Sequence, residues 1–558
     1  MPWMTGKQAF LEMLRAEGVK YIFGNPGTSE SAIISTLPLF PDIEYVLATQ
    51  EGVAMGMADG YACASGQPSF VNLHIETGLA NGISLLHHAM DGGTPLVLTS
   101  GNKDIRKLTE GRTDLAQMVA QFTKWSVEVT HCEQIPGVLR RAFNEAKTPP
   151  TGPVYVGFAA NSLEDEADME IVPSGQGFHR TAPDPAAVQV AAGLLAKSTS
   201  PAMVVGDRLA QSGGTGEAVR LAELLGARVY TTSYARMNFP SGHPQFLGRI
   251  NAVLPASREL LSQSDVVLAV GTDVFSGFFY FSGASLSQNT RLIHLDSAHR
   301  AVGKSEPTDV GMVADPKTGL ADLADAVEEA MSGSGREVAR SRGVSVAGLK
   351  DQQKNAWDER LKQRWDQSPM SAERMMVEAN GALPPDCIVV DDSLSSKDAL
   401  HGAFQFNQPD SIYGERVGAI GWGMGGALGV KLAQPDRPVV GIVGDGSAMM
   451  TVQALWTAAC ANIPVVYLVC NNRSYRILKL NMNIYKTQVL GEDTADSPSG
   501  LELPGLDFPI PLNIAGIANA IGVYGRTIED PADIAPAIKQ ALDSGKPAVL
   551  DVVIDGSV

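Results

Sequence analysis

Short apolar runs alternate with helical patterns along most of the chain. This alternation predicts buried parallel strands joined by crossover helices. The runs lie at residues 21–23, 44–48, 70–74, 96–99, 154–158, 202–205, 228–231, 265–270, 291–295, 387–391, 439–443, 464–469 and 548–553. The pattern predicts an α/β fold with three doubly wound parallel-sheet domains, at residues 1–165, 185–335 and 370–558.

Length, composition and charge agree with a multidomain globular protein. A chain of 558 residues exceeds what one hydrophobic core usually serves, so about three domains are expected. Apolar residues make up 44% and charged residues 19% of the chain, which is a globular balance. The formal net charge of −18 argues against a nucleic-acid surface.

The cysteine pattern and the N-terminal sequence indicate the cellular compartment of the protein. The five cysteines form no C-x-x-C pair, which favours reduced thiols over a disulfide framework or a zinc site. No segment reads as a signal peptide, and none is long and apolar enough to span a membrane. We therefore expect a cytoplasmic enzyme with no membrane partner.

The most informative segment lies between residues 439 and 472. One predicted strand ends in a G-D-G-S motif at 444–447, and the next ends in an N-N pair at 471–472. Ligands of parallel sheets bind at the carboxyl ends of strands, so Asp445 and Asn472 are expected to lie together. A carboxylate, an amide oxygen and a nearby carbonyl suit Mg²⁺, and the N–H groups of the following helix suit a diphosphate.

A competing motif lies just upstream. Residues 421–426 satisfy G-x-G-x-x-G, and Asp445 follows about 20 residues later, where a dinucleotide site carries its ribose-binding acid. A nicotinamide oxidoreductase is therefore an alternative from a different class. Against it, residues 413–420 make a poor buried strand, and the N-N pair would have no role.

The G-D-G-S and N-N motifs together resemble the cofactor motif of thiamine-diphosphate enzymes. The resemblance implies thiamine diphosphate and Mg²⁺ as cofactors. It implies that Mg²⁺ is held by Asp445, Asn472 and the carbonyl of Ser474. It also implies three cofactor contacts nearby, at Gly446, Ser447 and Tyr475.

This chemistry also needs an acid beside the aminopyrimidine ring of the cofactor. A buried carboxyl serves best, because burial raises its pKa and lets it exchange a proton. The candidate is Glu51, which opens a predicted helix of small residues. Taken alone, a glutamate in the first turn of a helix is better explained by the helix dipole.

The residues around Glu51 resemble the pyrimidine-binding domain of benzoylformate decarboxylase and its relatives. The likeness is carried by segments 23–30, 50–51, 58–62 and 72–81, and it covers nearly the whole chain. The family consists of homotetramers in which two subunits share each active site. The resemblance therefore implies pyrimidine-binding, central and diphosphate-binding domains. It also implies that Glu51 acts on a cofactor whose diphosphate is held by the partner chain.

The same resemblance implies further cofactor contacts. The residues on the pyrimidine side are Asn25, Pro26, Gly27 and Asn81. The remaining contacts are the backbone of Leu394 and Ser395 at the diphosphate, Gly418 at the aminopyrimidine, and Ile420 beneath the two rings.

Around the substrate, this family places a small hydroxyl residue and two histidines. Thr28 takes the hydroxyl position, where the relatives have serine, and we expect it to hydrogen-bond a substrate carboxylate. His74 takes the first histidine position, where an imidazole can donate and recover a proton near neutral pH. A histidine kept at a strand end for structural reasons is the alternative.

The chain departs from the family at the second histidine. Phe278 falls at that position, and phenylalanine supplies no proton. Gly414 stands where an aromatic substrate contact is expected, which predicts a wider substrate pocket. Ile477 and Leu478 are expected to form an apolar wall. The polar stretch 485–506 is either a lid or a passive surface loop.

These residues predict a lyase, a non-oxidative 2-oxo acid decarboxylase that also joins aldehydes. Carboligation is expected because slow protonation gives an aldehyde time to react. The alternative is an acetolactate-synthase-like or aldehyde carboligase. Such synthases carry an R-F-D-D-R-like run with their FAD, and residues 271–275 do not match it, so no flavin is expected. A non-catalytic paralogue that binds the cofactor also stays open because of Phe278.

Overall fold

The computed structural model describes residues 2–107, 111–177, 179–492 and 503–558. Its first part contains eight strands and seven helices. In chain order these are β1 (Trp3–Thr5), α1 (Gly6–Ala16), β2 (Tyr21–Asn25), α2 (Ser31–Thr36), β3 (Glu44–Leu47), α3 (Glu51–Ser65), β4 (Ser69–Leu73), α4 (Ile75–Asp91), β5 (Leu96–Asn102), α5 (Leu115–Val119), β6 (Trp125–Val129), α6 (Ile135–Lys147), β7 (Val154–Ala159), α7 (Ala160–Glu164) and β8 (Glu166–Asp168).

The middle part contains six strands and ends in a long helix. In chain order its elements are α8 (Pro185–Lys197), β9 (Pro201–Val205), α9 (Asp207–Ser212), α10 (Thr215–Leu225), β10 (Arg228–Thr231), β11 (Phe246–Arg249), α11 (Pro255–Ser262), β12 (Val266–Val270), β13 (Arg291–Asp296), β14 (Val310–Val313), α12 (Pro316–Ala330) and α13 (Gly333–Gln363).

The last part again contains six strands. In chain order its elements are α14 (Ala372–Ala382), β15 (Ile388–Asp392), α15 (Lys397–Ala403), β16 (Ile412–Gly414), α16 (Trp422–Ala433), β17 (Val439–Gly444), α17 (Asp445–Met450), α18 (Ala454–Cys460), β18 (Val466–Asn471), α19 (Arg476–Ile484), α20 (Ile514–Ala520), β19 (Tyr524–Ile528), α21 (Ile534–Asp543) and β20 (Ala548–Val553).

Three six-stranded parallel sheets organise these elements and confirm the predicted fold class. The strand orders are β3-β2-β4-β5-β7-β6, β11-β10-β9-β12-β13-β14 and β16-β15-β17-β18-β20-β19. A small antiparallel pair of β1 and β8, which the sequence did not predict, joins the start of the chain to the end of the first part.

The first and last sheets share one strand order, and this order places the site. Each sheet begins with β2 or β15, and the next strand in the chain, β3 or β16, lies on one side of it. The strand after that, β4 or β17, lies on the other side, so the direction in which strands are added reverses between β2 and β4 and between β15 and β17. Parallel α/β sheets bind ligands at such reversal points, beyond the carboxyl ends of the strands. Residues that follow these four strands are therefore the structural candidates for a site.

Helices α3 and α16 pack backbone to backbone, and their glycines make this possible. A Cβ on Gly425 would lie 2.8 Å from the Val53 carbonyl oxygen, and one on Gly429 would overlap the Met57 carbonyl oxygen. The G-x-G-x-x-G segment at 421–426 follows the loop after β16 rather than a strand end. Gly425 thus serves close helix packing, and Asp392 accepts the N–H groups of Gly421 and Gly423, which leaves no basis for the nicotinamide alternative.

No helix among the described residues has both the length and the apolar character needed to cross a bilayer.

Candidate active site

The predicted metal ligands come together where β17 and β18 end. These neighbouring strands pair through Val443 and Val469, so the segments that follow them emerge side by side. Asp445 Oδ2 accepts a hydrogen bond of 2.7 Å from the backbone N–H of Arg473. Asn472 Oδ1 accepts one of 3.0 Å from the Ser474 N–H. A carboxylate, an amide oxygen and a turn carbonyl therefore lie in one small region.

The electrostatics of Asp445 fit a bound cation. Its side chain is buried, and burial raises its pKa to about 6, with the Asp551 carboxylate acting in the same direction. No lysine, arginine or histidine in the described part of the chain forms an ion pair with it. A divalent cation would supply the missing positive charge, and an oxygen donor set suits Mg²⁺.

Gly446 and Ser447 follow Asp445 in the first turn of α17. A Cβ at Gly446 would lie 2.5 Å from the Tyr475 ring, so only glycine lets this ring lie over the turn. The Tyr475 ring is itself held edge-on by Phe508, at a centroid distance of 4.9 Å. The Asn472 amide donates to the hydroxyl of Ser395 at 3.3 Å, which brings the predicted diphosphate contact to the metal turn.

A buried carboxylate that the sequence did not single out joins two of the predicted cofactor segments. Asp392 ends β15, and its Oδ2 accepts the N–H groups of Gly421 at 3.0 Å and Gly423 at 2.9 Å. The Ser447 hydroxyl donates to the same oxygen. Burial, and next the negative charge of Glu415, raise the pKa of Asp392 to about 7. Asp392 thus joins the loop that contains Gly418 and Ile420 to the G-D-G-S motif.

That loop has an unusual backbone. Val417 has φ +52°, and Gly418 and Gly421 follow with φ +71° and +95°. A left-handed conformation costs little for glycine but is strained for a β-branched residue. The Glu415 carboxylate accepts the Gly418 N–H and helps to fix this conformation. Leu394, another predicted contact, also has a positive φ, of +41°.

The predicted catalytic glutamate is held by two predicted partners. Glu51 begins α3 and is 7% exposed. The amide of Asn25, at the end of β2, donates to its Oε1 at 3.0 Å. The amide of Asn81, on α4, donates to its Oε2 at 3.0 Å. Residues far apart in the sequence therefore fix both oxygens of this carboxylate.

His74 follows β4 and is fixed by two residues to which sequence reasoning gave no role. Its Nδ1 lies 2.8 Å from the Ser29 hydroxyl and 3.0 Å from Glu30 Oε2. Glu30 is fully buried, whereas the His74 side chain is 32% exposed. A Cβ at Gly27 would lie 2.6 Å from His74 Cε1, so the ring needs glycine there. The only sequence signal for Glu30 is its place two residues after Thr28.

The substrate-side predictions fall at several places in the structure. Thr28 is exposed, and its hydroxyl has no hydrogen-bond partner within the described ranges. Ile477 and the partly exposed Leu478 lie on α19. Phe278 is 96% exposed in the single chain. Of the predicted lid at 485–506, residues 485–489 form a π-helix and 493–502 lie outside the described residues.

Gly414 and Gly418 have different surroundings. A Cβ on Gly414 would lie 3.0 Å from the Ala235 Cα and the Tyr234 carbonyl oxygen, so Gly414 packs against the central domain. Gly418 lines a cavity of about 430 Å³ that reaches Asp207 and Arg249 of the central domain. The open space near the cofactor loop is therefore beside Gly418 and not beside Gly414.

The predicted residues form two clusters in one chain. Among the described residues, no hydrogen bond or ion pair links the Glu51 and His74 cluster to the Asp445 and Asn472 cluster. The first cluster lies at the reversal point between β2 and β4, and the second lies at the ends of β17 and β18, beside the reversal point between β15 and β17.

Comparison with protein-family models identifies the family of this chain. The thiamine pyrophosphate enzyme N-terminal binding domain matches residues 4–123, the central domain matches 188–323, and the C-terminal binding domain matches 395–552. The chain belongs to the thiamine pyrophosphate enzymes. Its cofactor is thus thiamine diphosphate, and Mg²⁺ is the standard partner metal in this family.

Curated thiamine pyrophosphate enzymes match over nearly their whole length. Benzoylformate decarboxylase of Pseudomonas aeruginosa is 29% identical, with 98% of each chain covered. A probable acetolactate synthase large subunit of Methanocaldococcus jannaschii is 28% identical, covering 99% of this chain and 92% of the relative. The chain is therefore an enzyme of the decarboxylase and acetolactate synthase family.

A solved structure agrees in fold. The crystal structure of benzoylformate decarboxylase from Polynucleobacter necessarius superposes with a TM-score of 0.85 at 24% identity, covering 99% of each chain.

Proposed function

We propose that this enzyme is a non-oxidative 2-oxo acid decarboxylase of the benzoylformate decarboxylase type. The observation that carries the proposal is that hydrogen bonds fix a glutamate and a histidine in the first domain. Asn25 and Asn81 hold Glu51, and Ser29 and Glu30 hold His74. The wider likeness to benzoylformate decarboxylase supports the substrate class.

The cofactor would lie between the two clusters. The metal-binding residues would be Asp445, Asn472 and the Ser474 carbonyl. The residues at the diphosphate would be Leu394, Ser395, Gly446, Ser447 and Tyr475. The residues at the aminopyrimidine would be Asn25, Pro26, Gly27, Asn81 and Gly418, and Ile420 would lie beneath the two rings. When bound, thiamine diphosphate supplies an electron sink next to a carbonyl carbon.

Protein groups then manage protons and orientation. Glu51 exchanges a proton at the aminopyrimidine ring, and Asn25 and Asn81 fix its carboxylate for that task. Thr28, whose hydroxyl has no partner among the described residues, hydrogen-bonds the substrate carboxylate. His74 gives and takes a proton at its exposed edge. Ile477 and Leu478 shield this region from water.

The two clusters would meet across two copies of the chain. Within the part of one chain that the structure describes, no polar contact joins the two clusters, which supports a dimer in which each copy supplies one cluster. Phe278, almost fully exposed in one chain, would then be covered. A homodimer paired into a homotetramer is the proposed assembly, which light scattering of the purified protein tests directly.

Carboligation is the second candidate function, and Phe278 favours it. Phenylalanine at that position provides no proton, so an added aldehyde competes with protonation. The likeness to a probable acetolactate synthase large subunit supports the same outcome. We propose no flavin, because residues 271–275 lack the expected run.

Product analysis separates these functions. The protein loaded with Mg²⁺ and thiamine diphosphate is given a panel of 2-oxo acids, with and without aldehydes, and products are identified by mass spectrometry. CO₂ with free aldehyde supports the decarboxylase, and hydroxyketone as the main product supports the carboligase. Glu51→Gln should abolish turnover, whereas the exposed Glu44→Gln should not. No turnover of any acid by cofactor-loaded protein refutes the proposal.

A further inference from the structure

The buried carboxylate of Glu30 accepts four hydrogen bonds. Oε2 accepts the Gly27 N–H at 2.9 Å and lies 3.0 Å from His74 Nδ1. Oε1 accepts the Ser29 hydroxyl at 2.7 Å and the Gly101 N–H at 2.9 Å. Two backbone donors, Gly27 in the turn after β2 and Gly101 in β5, thus fix the orientation of Glu30. The remaining two contacts lead to the imidazole.

Hydrogen-bond capacity identifies which nitrogen of His74 carries a proton. A carboxylate only accepts, and a serine hydroxyl has one hydrogen to donate. Ser29 donates that hydrogen to Glu30, so its oxygen can only accept from the ring. Both neighbours of Nδ1 are therefore acceptors, and Nδ1 must carry a hydrogen. Nε2 is then the nitrogen that is free to take or give a proton at the exposed edge of the ring.

We propose that Glu30 is a positioning residue that acts through His74, with Ser29 as the bridging hydroxyl. The Glu30 carboxylate fixes the Nδ1–H tautomer and orients Nε2 toward the substrate. A carboxylate behind an imidazole holds ring orientation and tautomer in other proteins by the same physics. This inference rests on the proposed role of His74. It explains how a single histidine is kept ready where Phe278 replaces a second one.

A double-mutant cycle tests whether Glu30 acts through His74. Glu30→Gln should lower kcat by about 10- to 100-fold, a part of the 100- to 10,000-fold that a positioned acid or base contributes. KM for the 2-oxo acid and the affinity for thiamine diphosphate should change little. In a His74→Ala background, adding Glu30→Gln should change kcat by less than about twofold, because coupled residues are not additive.

Ser29→Ala provides a milder variant in case Glu30→Gln folds poorly. It keeps Glu30 and its backbone donors and removes only the bridge, so kcat should fall while the melting temperature stays close to wild type. Ser31→Ala is its matched control, because Ser31 bonds the Thr28 carbonyl in the same turn and does not contact His74. Glu373→Gln controls for loss of a buried glutamate, since Glu373 pairs with Arg364 in the last domain.

Nuclear magnetic resonance gives a readout that does not depend on turnover. The chain has 9 histidines, and ¹⁵N-histidine spectra of wild type and His74→Ala identify the His74 signals by difference. In the neutral ring we expect the hydrogen on Nδ1, and Glu30→Gln should shift the population toward Nε2–H. A wild-type spectrum with the hydrogen on Nε2 overturns the inference.

The possible kinetic outcomes are distinct. A kcat loss for Glu30→Gln that disappears in the His74→Ala background supports the inference. An equal loss in both backgrounds overturns it and leaves the proposed role of His74 intact. If His74→Ala itself turns over as fast as wild type, the catalytic role of His74 fails, and the inference fails with it.

Discussion

Asp392 offers a stability measurement whose sign and size follow from its surroundings. It is fully buried, and three donors, from Gly421, Gly423 and Ser447, all reach Oδ2. Oδ1 has no partner among the described residues. In Asp392→Asn the amide oxygen can take the place of Oδ2 and keep all three hydrogen bonds. The substitution therefore removes the charge and preserves the contacts.

The pH dependence follows from the raised pKa. Burial raises the pKa of Asp392 from 3.8 to about 7. Between these values the folded protein keeps a proton that the unfolded chain has lost, so its stability falls as pH rises. The slope is about 1.4 kcal/mol per pH unit, and the full effect is about 4 kcal/mol. Below about pH 4 and above about pH 7 this contribution is flat.

Urea unfolding of cofactor-free wild type and Asp392→Asn between pH 4 and pH 8 measures the effect. Subtracting the two curves cancels the groups that titrate alike in both proteins. We expect the stability of Asp392→Asn relative to wild type to increase with pH up to about 7 and then level off. Asp398→Asn, an exposed acid six residues away, controls for loss of a carboxyl group. A difference that is constant across the whole range refutes the reasoning.

Three further predictions concern the domain contacts and the site. Arg416 is buried between Asp207, at 3.5 Å, and Asp59, at 3.8 Å. Arg416→Gln should lower the free energy of unfolding by about 3–5 kcal/mol, because it leaves buried carboxylates without their cationic partner. A loss below about 1 kcal/mol in urea unfolding contradicts this. Mixing two inactive variants, Glu51→Gln and Asp445→Ala, should restore about a quarter of wild-type activity, because hybrid dimers regain one intact shared site. No recovery after subunit exchange would place the whole site within one chain. Phe278→His should raise the ratio of free aldehyde to hydroxyketone by about tenfold, because it adds a proton donor. Mass spectrometry of the products measures this ratio, and an unchanged ratio rules out Phe278 as its determinant.

The sequence pattern predicted the interior strands of all three sheets but, among the edge strands, only β3. The interior strands, such as β4 and β17, are nearly continuous apolar runs that stand out from their surroundings. The edge strands β6 and β19 carry polar residues and are only partly buried. Edge strands contact the core on fewer sides, so their sequences need not be apolar. The same reason explains why the short pair of β1 and β8 was not predicted.

The candidate site was predictable where a motif carried the chemistry. Asp445 and Asn472 follow from strand ends, and the structure brings them to one turn. Glu30 and Asp392 were not predicted, because their importance lies in hydrogen bonds between segments that are distant in sequence. Residue type and spacing carry no information about such contacts. The G-x-G-x-x-G segment shows the converse ambiguity, because helix packing and phosphate binding both favour glycine.

The backbone contact between α3 and α16 has a consequence for how this enzyme tolerates change. Because Gly425 and Gly429 leave no side chain between the two helices, the crossing is set by the main chains themselves. Rotamer fluctuations elsewhere in the core then have little effect on the position of the start of α3, where Glu51 lies. Substitutions in the surrounding core can therefore alter its packing while Glu51 keeps its position. This tolerance depends on a few glycines that cannot be substituted.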